Sequence, residues 1–346
     1  AAPNALNFAG GTQGVVVNLG SGTWAHALQV LPLGDSITYG WTDLDYQLDQ
    51  TNTENGYRGP LWRDFASNSM LINMVGPNTS GDSSLADQNH AGYPNFQSDQ
   101  IAALLPGILS ADHPDAILLM AGTNDIFQEA QPAAHVAASV SGMIAAVSTA
   151  SPSTLIYVAT LMPINQAKDG QPGDAAMVAT VNAAIAAAVS QAIAAGNNVS
   201  LVDLSAMNLS DIADAAHPTA AGYAKLAQIW YNAILAQQPD SGGTPGGVSH
   251  AIAPGVTTVT GTEAGDLLIG NGQASSLNGG GGNDRLVSVS GGDVLTGGAG
   301  AEQFVFSPSS GHATITDVSH AQADHIELDS FSGLTQVSQL GSHISV

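Results

Sequence analysis

Cysteine is absent from all 346 residues, which excludes disulfides, thiolate metal sites and cysteine catalysis together. Basic residues are nearly absent as well: five Lys and Arg face 28 Asp and Glu, for a formal net charge of −23. A surface of that sign repels phosphate backbones and anionic lipid, so no nucleic-acid partner is expected and electrostatic docking to a membrane is disfavoured. Cations are the natural counter-ions. The acidity is general, since 19 of the acidic residues lie in 1–240 and 9 in 241–346, which rules out a mere acidic tail. No uninterrupted apolar run reaches the ~18 residues of a membrane span, and no basic-then-apolar leader is visible, so no membrane insertion is expected. A cysteine-free acidic chain suits export, and a secreted, extracellular protein is the expectation.

What is present is a large apolar fraction, 44%, enough for a real core, in a chain whose length predicts two domains. Residues 1–27 are rich in Gly, Asn and Thr around Gly14-Val15-Val16-Val17-Asn18-Leu19 and read as an N-terminal hairpin or extended arm with no chemistry of its own. From residue 28 apolar runs alternate with helix-like windows, the pattern of βαβ units. Strands are predicted over 28–33, 71–75, 116–120, 155–159 and 199–202, and helices over 57–69, 98–110, 132–147, 175–195 and 218–237. The expected fold of 28–237 is therefore α/β, a three-layer flavodoxin-like sandwich with five parallel strands whose sites lie outside the strands' carboxyl ends. Residues 238–256 read as a Gly/Pro/Ser linker, and composition then changes for a second domain over 257–346.

Three motifs follow predicted strand ends. Gly34-Asp35-Ser36 ends the first run, Gly122-Thr123-Asn124-Asp125 follows the third, and Asp214-Ala215-Ala216-His217-Pro218 follows the last. Each alone is a turn or a helix entry. Together, on one sheet edge, they supply a serine, a side-chain amide for an oxyanion, and a histidine with a carboxylate three residues before it. Serine needs such a base, and the base needs such an orienter. Asp35 and Asp125 read as loop-holding side chains, Arg58 and Trp62 as packing on a helix face, and His113, His135 and His250 as surface or capping residues. Trp41, five residues past Ser36, offers a stacking face for a sugar ring or packs into the core.

In this order the motifs resemble the SGNH, or GDSL, hydrolases. The wording LPLGDSITYG, GYRGPLW, AGYPNFQSDQI and LLMAGTND is most similar to carbohydrate esterases that remove acetyl groups from xylan. That resemblance implies Ser36 as nucleophile, His217 as base and Asp214 as its orienter. It also implies oxyanion donors from Ser36 N–H, Gly92 N–H and the Asn124 amide. Tyr93-Pro94-Asn95 departs from the usual run after the glycine.

From Gly261 five nonapeptides run without a break: GTEAGDLLI, GNGQASSLN, GGGGNDRLV, SVSGGDVLT and GGAGAEQFV. Small residues form each turn, a carboxylate or its substitute stands sixth, and Leu268, Leu277, Leu286, Leu295 and Phe304 stand eighth. The pattern resembles the RTX repeats of secreted bacterial proteins, which implies an all-β parallel β-roll that binds structural calcium. Two nonapeptides make one coil. One side then carries Asp266, Asp284 and Glu302 and the other Ser275 and Asp293, with Gly279, Gly282 and Gly297 in the turns as further metal-site residues. About two good calcium sites are expected on the first side and a weaker one opposite. No cofactor is expected for the chemistry.

The leading expectation is a serine esterase that hydrolyses short acyl esters, foremost acetyl on a polysaccharide, through an acyl-enzyme. A GDSL lipase or esterase acting on short-chain lipid or aryl esters is the nearest alternative, against which the polar character of 41–56 argues. A non-catalytic, calcium-dependent surface or adhesion module is the other.

Overall fold

The computed structural model describes residues 5–11, 14–42, 55–67, 72–81, 85, 87–128, 132–169, 173–237, 250–251, 254–308, 310–328, 338–340 and 343–345. Most of the expected linker, and 43–54 of the polar segment, lie outside the described residues. The chain divides into two compact units, one of Gln29–Asp64 with Met74–Pro239, the other of Ala1–Leu28, Phe65–Asn73 and Asp240–Val346.

In the larger unit the apolar runs become a parallel sheet. Leu28–Gly34, Ala116–Met120, Leu155–Ala159 and Val199–Val202 are strands, and Asn89–Gly92 joins them. Across the sheet the order is Val199–Val202, Leu155–Ala159, Ala116–Met120, Leu28–Gly34 and Asn89–Gly92, all parallel, with Asn78–Thr79 antiparallel at the edge. Counted along the chain this is the flavodoxin-like order 2-1-3-4-5, whose crevice opens between the first and third strands. The fifth parallel strand is not the expected 71–75, of which Ile72–Met74 is a short strand off this path. Asn89-His90-Ala91-Gly92 has no apolar alternation to announce it. Pairing of Leu33 with Ala91 and of Gly34 with Gly92 holds it in register.

Leu31, Leu33, Ile117, Leu119, Ile156 and Val158 pack on one face against Ile101 and Leu105 of helix Ser98–Asp112, Val140 and Ile144 of Pro132–Ala150, and Val181 and Ile185 of Asp174–Ala194. The alternating residues Val30, Leu118, Met120 and Tyr157 are equally buried. Toward that second face Tyr157 Oη donates to the Ile234 carbonyl of helix Ala220–Gln237 over 3.5 Å, and the rings of Tyr57 and Trp230 lie 6.1 Å apart. Burial on both sides is why these strands read as continuous apolar runs. Pro132–Ala150 and Asp174–Ala194 are long and apolar enough, by length and composition alone, to cross a membrane. Their large residues at helical spacing face the core instead. The last helix starts at Ala220 rather than 218, because Pro218 forms a β-bridge with Ile212.

Among its described residues the smaller unit holds two sets of parallel strands. One contains Ala5–Asn7, Thr258–Thr260, Ser276–Gly281, Val294–Ala299 and Thr314–Ile315. The other runs through Val15–Asn18, Leu267–Ile269, Arg285–Val287, Gln303–Phe306 and His325–Leu328. Residues two nonapeptides apart pair, Leu268 with Leu286 and Leu286 with Phe304, Val259 with Leu277 and Leu277 with Leu295. The eighth residues are at most 1% exposed and share one core. The N-terminal arm is part of this unit. Val15–Asn18 forms the expected hairpin with Thr23–His26, and its other edge continues the repeat ladder, Val17 paired with Leu268, while Leu6 pairs with Val259. The arm therefore supplies the first level of the repeat core.

An aspartate at fully buried Val17 places an unpaired charge in that core, at a cost of roughly 3–5 kcal/mol. Val17→Asp is expected to lower the melting temperature of the repeat unit and to speed proteolytic release of 257–346. Unchanged melting and proteolysis would show that the arm is not a level of this core.

Candidate active site

Ser36 begins a four-residue helix, Ser36–Tyr39, directly after the strand Leu28–Gly34. Asp35 caps it, its Oδ1 accepting from Ile37 N–H at 3.0 Å. The loop that carries the histidine is pinned by Ala213 N–H on the His217 carbonyl at 2.7 Å, Asn165 N–H on the Ala215 carbonyl at 2.8 Å, and the Lys168 ammonium on the Ala213 carbonyl. His217 Nε2 then lies 2.8 Å from Ser36 Oγ, and His217 Nδ1 lies 2.7 Å from Asp214 Oδ2. Asp214 Oδ1 accepts from the N–H groups of Ala216 and His217 at 2.8 and 2.7 Å. Burial raises the Asp214 pKa, but the His217 hydrogen bond and charge, with the two N–H donors, outweigh it and bring the carboxyl down to about 2. An ionised Asp214 fixes the proton on Nδ1, which leaves Nε2 to accept from the serine.

The other predicted residues gather unequally. Asn124, in helix Thr123–Gln128 after Ala116–Met120, donates from Nδ2 to the Phe96 carbonyl at 3.0 Å, and a carboxamide has a second N–H to give. Asp125 accepts from Ser98 N–H at 2.9 Å and Ser98 Oγ at 2.6 Å. The half-buried Trp41 ring lies 6.0 Å from the imidazole of His217, and its carbonyl accepts from Tyr223 Oη at 2.5 Å. The N–H of Gly92, another of the expected oxyanion donors, meets His90 Nδ1 at 2.9 Å.

Asp35 is fully buried, and its Oδ2 has no hydrogen-bond partner. Burial pushes its carboxyl up to about 6 despite the Ile37 N–H bond. A raised acid pKa means that the folded state holds the proton more tightly than the unfolded chain. Stability therefore falls as pH rises from about 4 to 6, and the penalty persists above that range. Asp35→Asn keeps the cap and mimics the protonated form. It is expected to stabilise the protein by up to about 3 kcal/mol at pH 8 and to change nothing at pH 3.5, as melting curves at both values will show.

Residues 33–225 match the GDSL-like lipase/acylhydrolase family, a span that contains Ser36, Gly92, Asn124, Asp214 and His217. The chain belongs to that family. A multidomain esterase of Ruminococcus flavefaciens is 30% identical over 237 residues, 61% of this chain and 29% of its own length, so this GDSL-family chain spans less than a third of that relative. Among solved structures, a family 3 carbohydrate esterase of Clostridium thermocellum is 29% identical with a TM-score of 0.49, over 60% of this chain and 94% of its own. An acetyl esterase variant solved with an acetate ion is 23% identical with a TM-score of 0.50, over 60% and 97%, a likeness of fold.

The repeat carboxylates of this GDSL-family chain divide into two kinds. Asp293 Oδ1 accepts from Ser275 N–H, and its Oδ2 accepts from Ser288 Oγ and the N–H groups of Val289 and Ser290. Asp266 is likewise met by Val15 N–H and by the N–H and hydroxyl of Thr262. Asp284 accepts only from Asp266 N–H in the described bonds, and its Oδ2, like both oxygens of Glu302, is buried without a hydrogen-bond partner. Burial first, then the carboxylates of Asp266 and Glu302, raise Asp284 well above its ordinary value. Burial and Asp324 bring Glu302 up to about 8. A Cβ added at Gly279 would lie 2.0 Å from Asp284 Oδ2 and 2.6 Å from the Gly297 carbonyl. One added at Gly300 would lie 1.9 Å from the Gly282 carbonyl and 2.7 Å from Glu302 Oε1. Carboxylate and main-chain oxygens thus crowd both points, as Asp266 Oδ2 and the Gly279 carbonyl crowd a Cβ added at Gly261, at 2.1 and 2.2 Å. Among the described residues no group of three or more His, Asp or Glu side chains could hold a metal by side chains alone.

Sequence reading missed Arg58, Ser80 and His90, which are buried together near the nucleophile's helix. The signal was available only in part: an arginine on an otherwise apolar helix face, beside Tyr57 and Leu61, requires carbonyl partners.

Proposed function

We propose that this GDSL-family chain is a secreted serine esterase that removes short acyl groups, foremost acetyl, from a polysaccharide. The observation that carries the proposal is the unbroken chain Ser36 Oγ to His217 Nε2 to Asp214 Oδ2, with contacts of 2.8 and 2.7 Å. Ser36 Oγ attacks the ester carbonyl as Nε2 takes its proton, and the negative charge grows on the carbonyl oxygen near the Asn124 amide and the first N–H of the Ser36 helix. Collapse expels the alcohol, to which His217 returns the proton. Water, deprotonated by His217, then attacks the acyl-serine, and acid departs as Ser36 regains its hydrogen. The polysaccharide follows from the motif wording and from Trp41, a half-buried ring beside His217 suited to a sugar face. Acetate release from acetylated xylan, measured beside fatty-acid release from a triglyceride emulsion, tests this reading. Xylan is expected to be the better substrate by kcat/KM, and turnover of triglyceride alone contradicts it.

The repeat unit is proposed to hold calcium. Asp284 and Glu302 would supply carboxylate oxygens, and the turns of Gly279, Gly282 and Gly297 main-chain oxygens, a donor set that suits a hard cation. The orphaned buried oxygens and the crowded oxygen pairs support the fit. Asp266 and Asp293, already met by protein donors, are left out of it. Bound calcium would neutralise carboxylates that burial otherwise penalises, and export to a calcium-rich exterior agrees with that need.

A further inference from the structure

The Asn124 carboxamide stands in the first turn of helix Thr123–Gln128, so its aim depends on what that turn is tied to. Nδ2 faces the Phe96 carbonyl at 3.0 Å, a group that can only accept, and this bond orients the amide and with it the second N–H. Phe96 is itself placed by a tight turn. Pro94 and Asn95 form its middle, Phe96 N–H donates to the Tyr93 carbonyl at 3.2 Å, and Asn95 has a φ of 65°. That is the type II pattern, with proline second and a left-handed asparagine third. Tyr93 N–H donates to the Gly34 carbonyl at 2.9 Å, and the rings of Tyr93 and Phe96 stack 5.4 Å apart against the core. The turn therefore runs from Gly92, one expected oxyanion donor, to the carbonyl that holds another, and it is anchored at the strand end just before Ser36.

One bond to a carbonyl is a light hold for a half-buried amide. The firmer hold lies next to it. Asp125 and Ser98 are fully buried, and Asp125 Oδ2 accepts from Ser98 N–H at 2.9 Å while its Oδ1 accepts from Ser98 Oγ at 2.6 Å. Ser98 opens helix Ser98–Asp112, where free N–H groups and the helix dipole favour a carboxylate. His135 Nδ1 lies 3.8 Å from the same Oδ1. A buried carboxylate that slips from its donors is left with unpaired charge, so this joint resists movement. Phe96 with Asn124 and Ser98 with Asp125 are thus two adjacent ties between the same two segments. The sequence marks Asp125 as a loop-holding side chain, and what it holds is the segment that aims Asn124.

We propose that Asp125, through its paired bonds to Ser98, is a positioning residue for the esterase reaction: it clamps helix Thr123–Gln128 to the 93–96 turn and so fixes the Asn124 amide at the developing oxyanion. The inference rests on the esterase reading above.

The test is a double-mutant cycle in the full chain, read by p-nitrophenyl acetate hydrolysis, with folding checked by circular dichroism and Ser36→Ala as the separate control for the esterase reading. Asn124→Ala is expected to lose about 10²- to 10³-fold in kcat, the cost of one oxyanion donor. Asp125→Ala is expected to lose about 10- to 100-fold in kcat with KM within about 2-fold, the pattern of lost transition-state positioning. A residue that acts through Asn124 has nothing left to position once that amide is gone. Asp125→Ala added to Asn124→Ala is therefore expected to cost no more than about 2-fold further, whereas a general structural role multiplies the two losses. If Asp125→Ala does not fold, the cycle is run with Ser98→Ala, which keeps the N–H bond; it must lose about 3- to 10-fold in kcat alone and less than about 2-fold in the Asn124→Ala background. Losses that multiply overturn the proposal, and so does a folded Asp125→Ala, or an Asn124→Ala, of wild-type rate. Equal rates for wild type and Ser36→Ala would instead remove the esterase reading itself.

Discussion

Ser36→Ala is expected to lower kcat for p-nitrophenyl acetate by about 10⁴-fold or more while leaving the melting temperature within a degree or two. The hydroxyl makes one hydrogen bond of 2.8 Å to His217, so its removal takes away the attacking atom and little packing. Asp214→Asn is expected to cost about 10³- to 10⁴-fold for a different reason. The amide can turn its NH₂ toward Nδ1, and the imidazole then holds its proton on Nε2, where it can no longer take one from serine. That variant is also expected to lose stability, because Asp214 accepts from two backbone N–H groups and from the imidazole. Its folded pKa of about 2 lies below the ordinary 3.8. The stabilisation is therefore full above about pH 4 and is lost as pH falls toward 2. Stopped-flow kinetics and melting curves across pH 2–7 separate the two effects. A Ser36→Ala enzyme of wild-type rate would end the assignment.

Removal of the proposed calcium is expected to have the second large effect. With free calcium about 1,000-fold above Kd, the proposed binding to the folded repeats would stabilise them by about 4 kcal/mol, enough to move the melting of a unit this size by more than ~10 °C. EDTA is expected to lower the repeat transition by that order and to leave p-nitrophenyl acetate hydrolysis unchanged. Asp284→Asn and Glu302→Gln are expected to abolish the calcium response, since their oxygens are the ones left without protein donors. Asp293→Asn is expected to keep it. A repeat transition indifferent to both calcium and EDTA would contradict the proposed site.

Much of this was readable beforehand where the signal is periodic and local. Apolar runs such as 116–120 and 155–159 announced buried strands, and the nonapeptides put Leu268, Leu286 and Phe304 in one column because disorder keeps no register. Ser36, Asn124, Asp214 and His217 were legible as motifs at strand ends. What escaped depends on partners far along the chain. Asn89–Gly92 is a strand because Leu33 and Gly34 pair with it, not because its own residues favour one. The Val15–Asn18 hairpin was visible, but its place on Leu267–Ile269 was not, with some 250 residues between them. Composition alone could not divide the repeat carboxylates, since Asp293 is satisfied by Ser288, Val289 and Ser290 while Glu302 has no such donors. Arg58 read as packing because most of its partners are carbonyls, which no side-chain pattern reveals.

The central claim, that distant loops make one hydroxyl reactive, is tested most directly by labelling with diethyl p-nitrophenyl phosphate followed by intact mass and peptide mapping. One diethylphosphoryl group on Ser36 is expected, with labelling slowed by orders of magnitude in His217→Ala. A wild type that stays unlabelled, or labels elsewhere, or a His217→Ala variant that labels as fast, would contradict it.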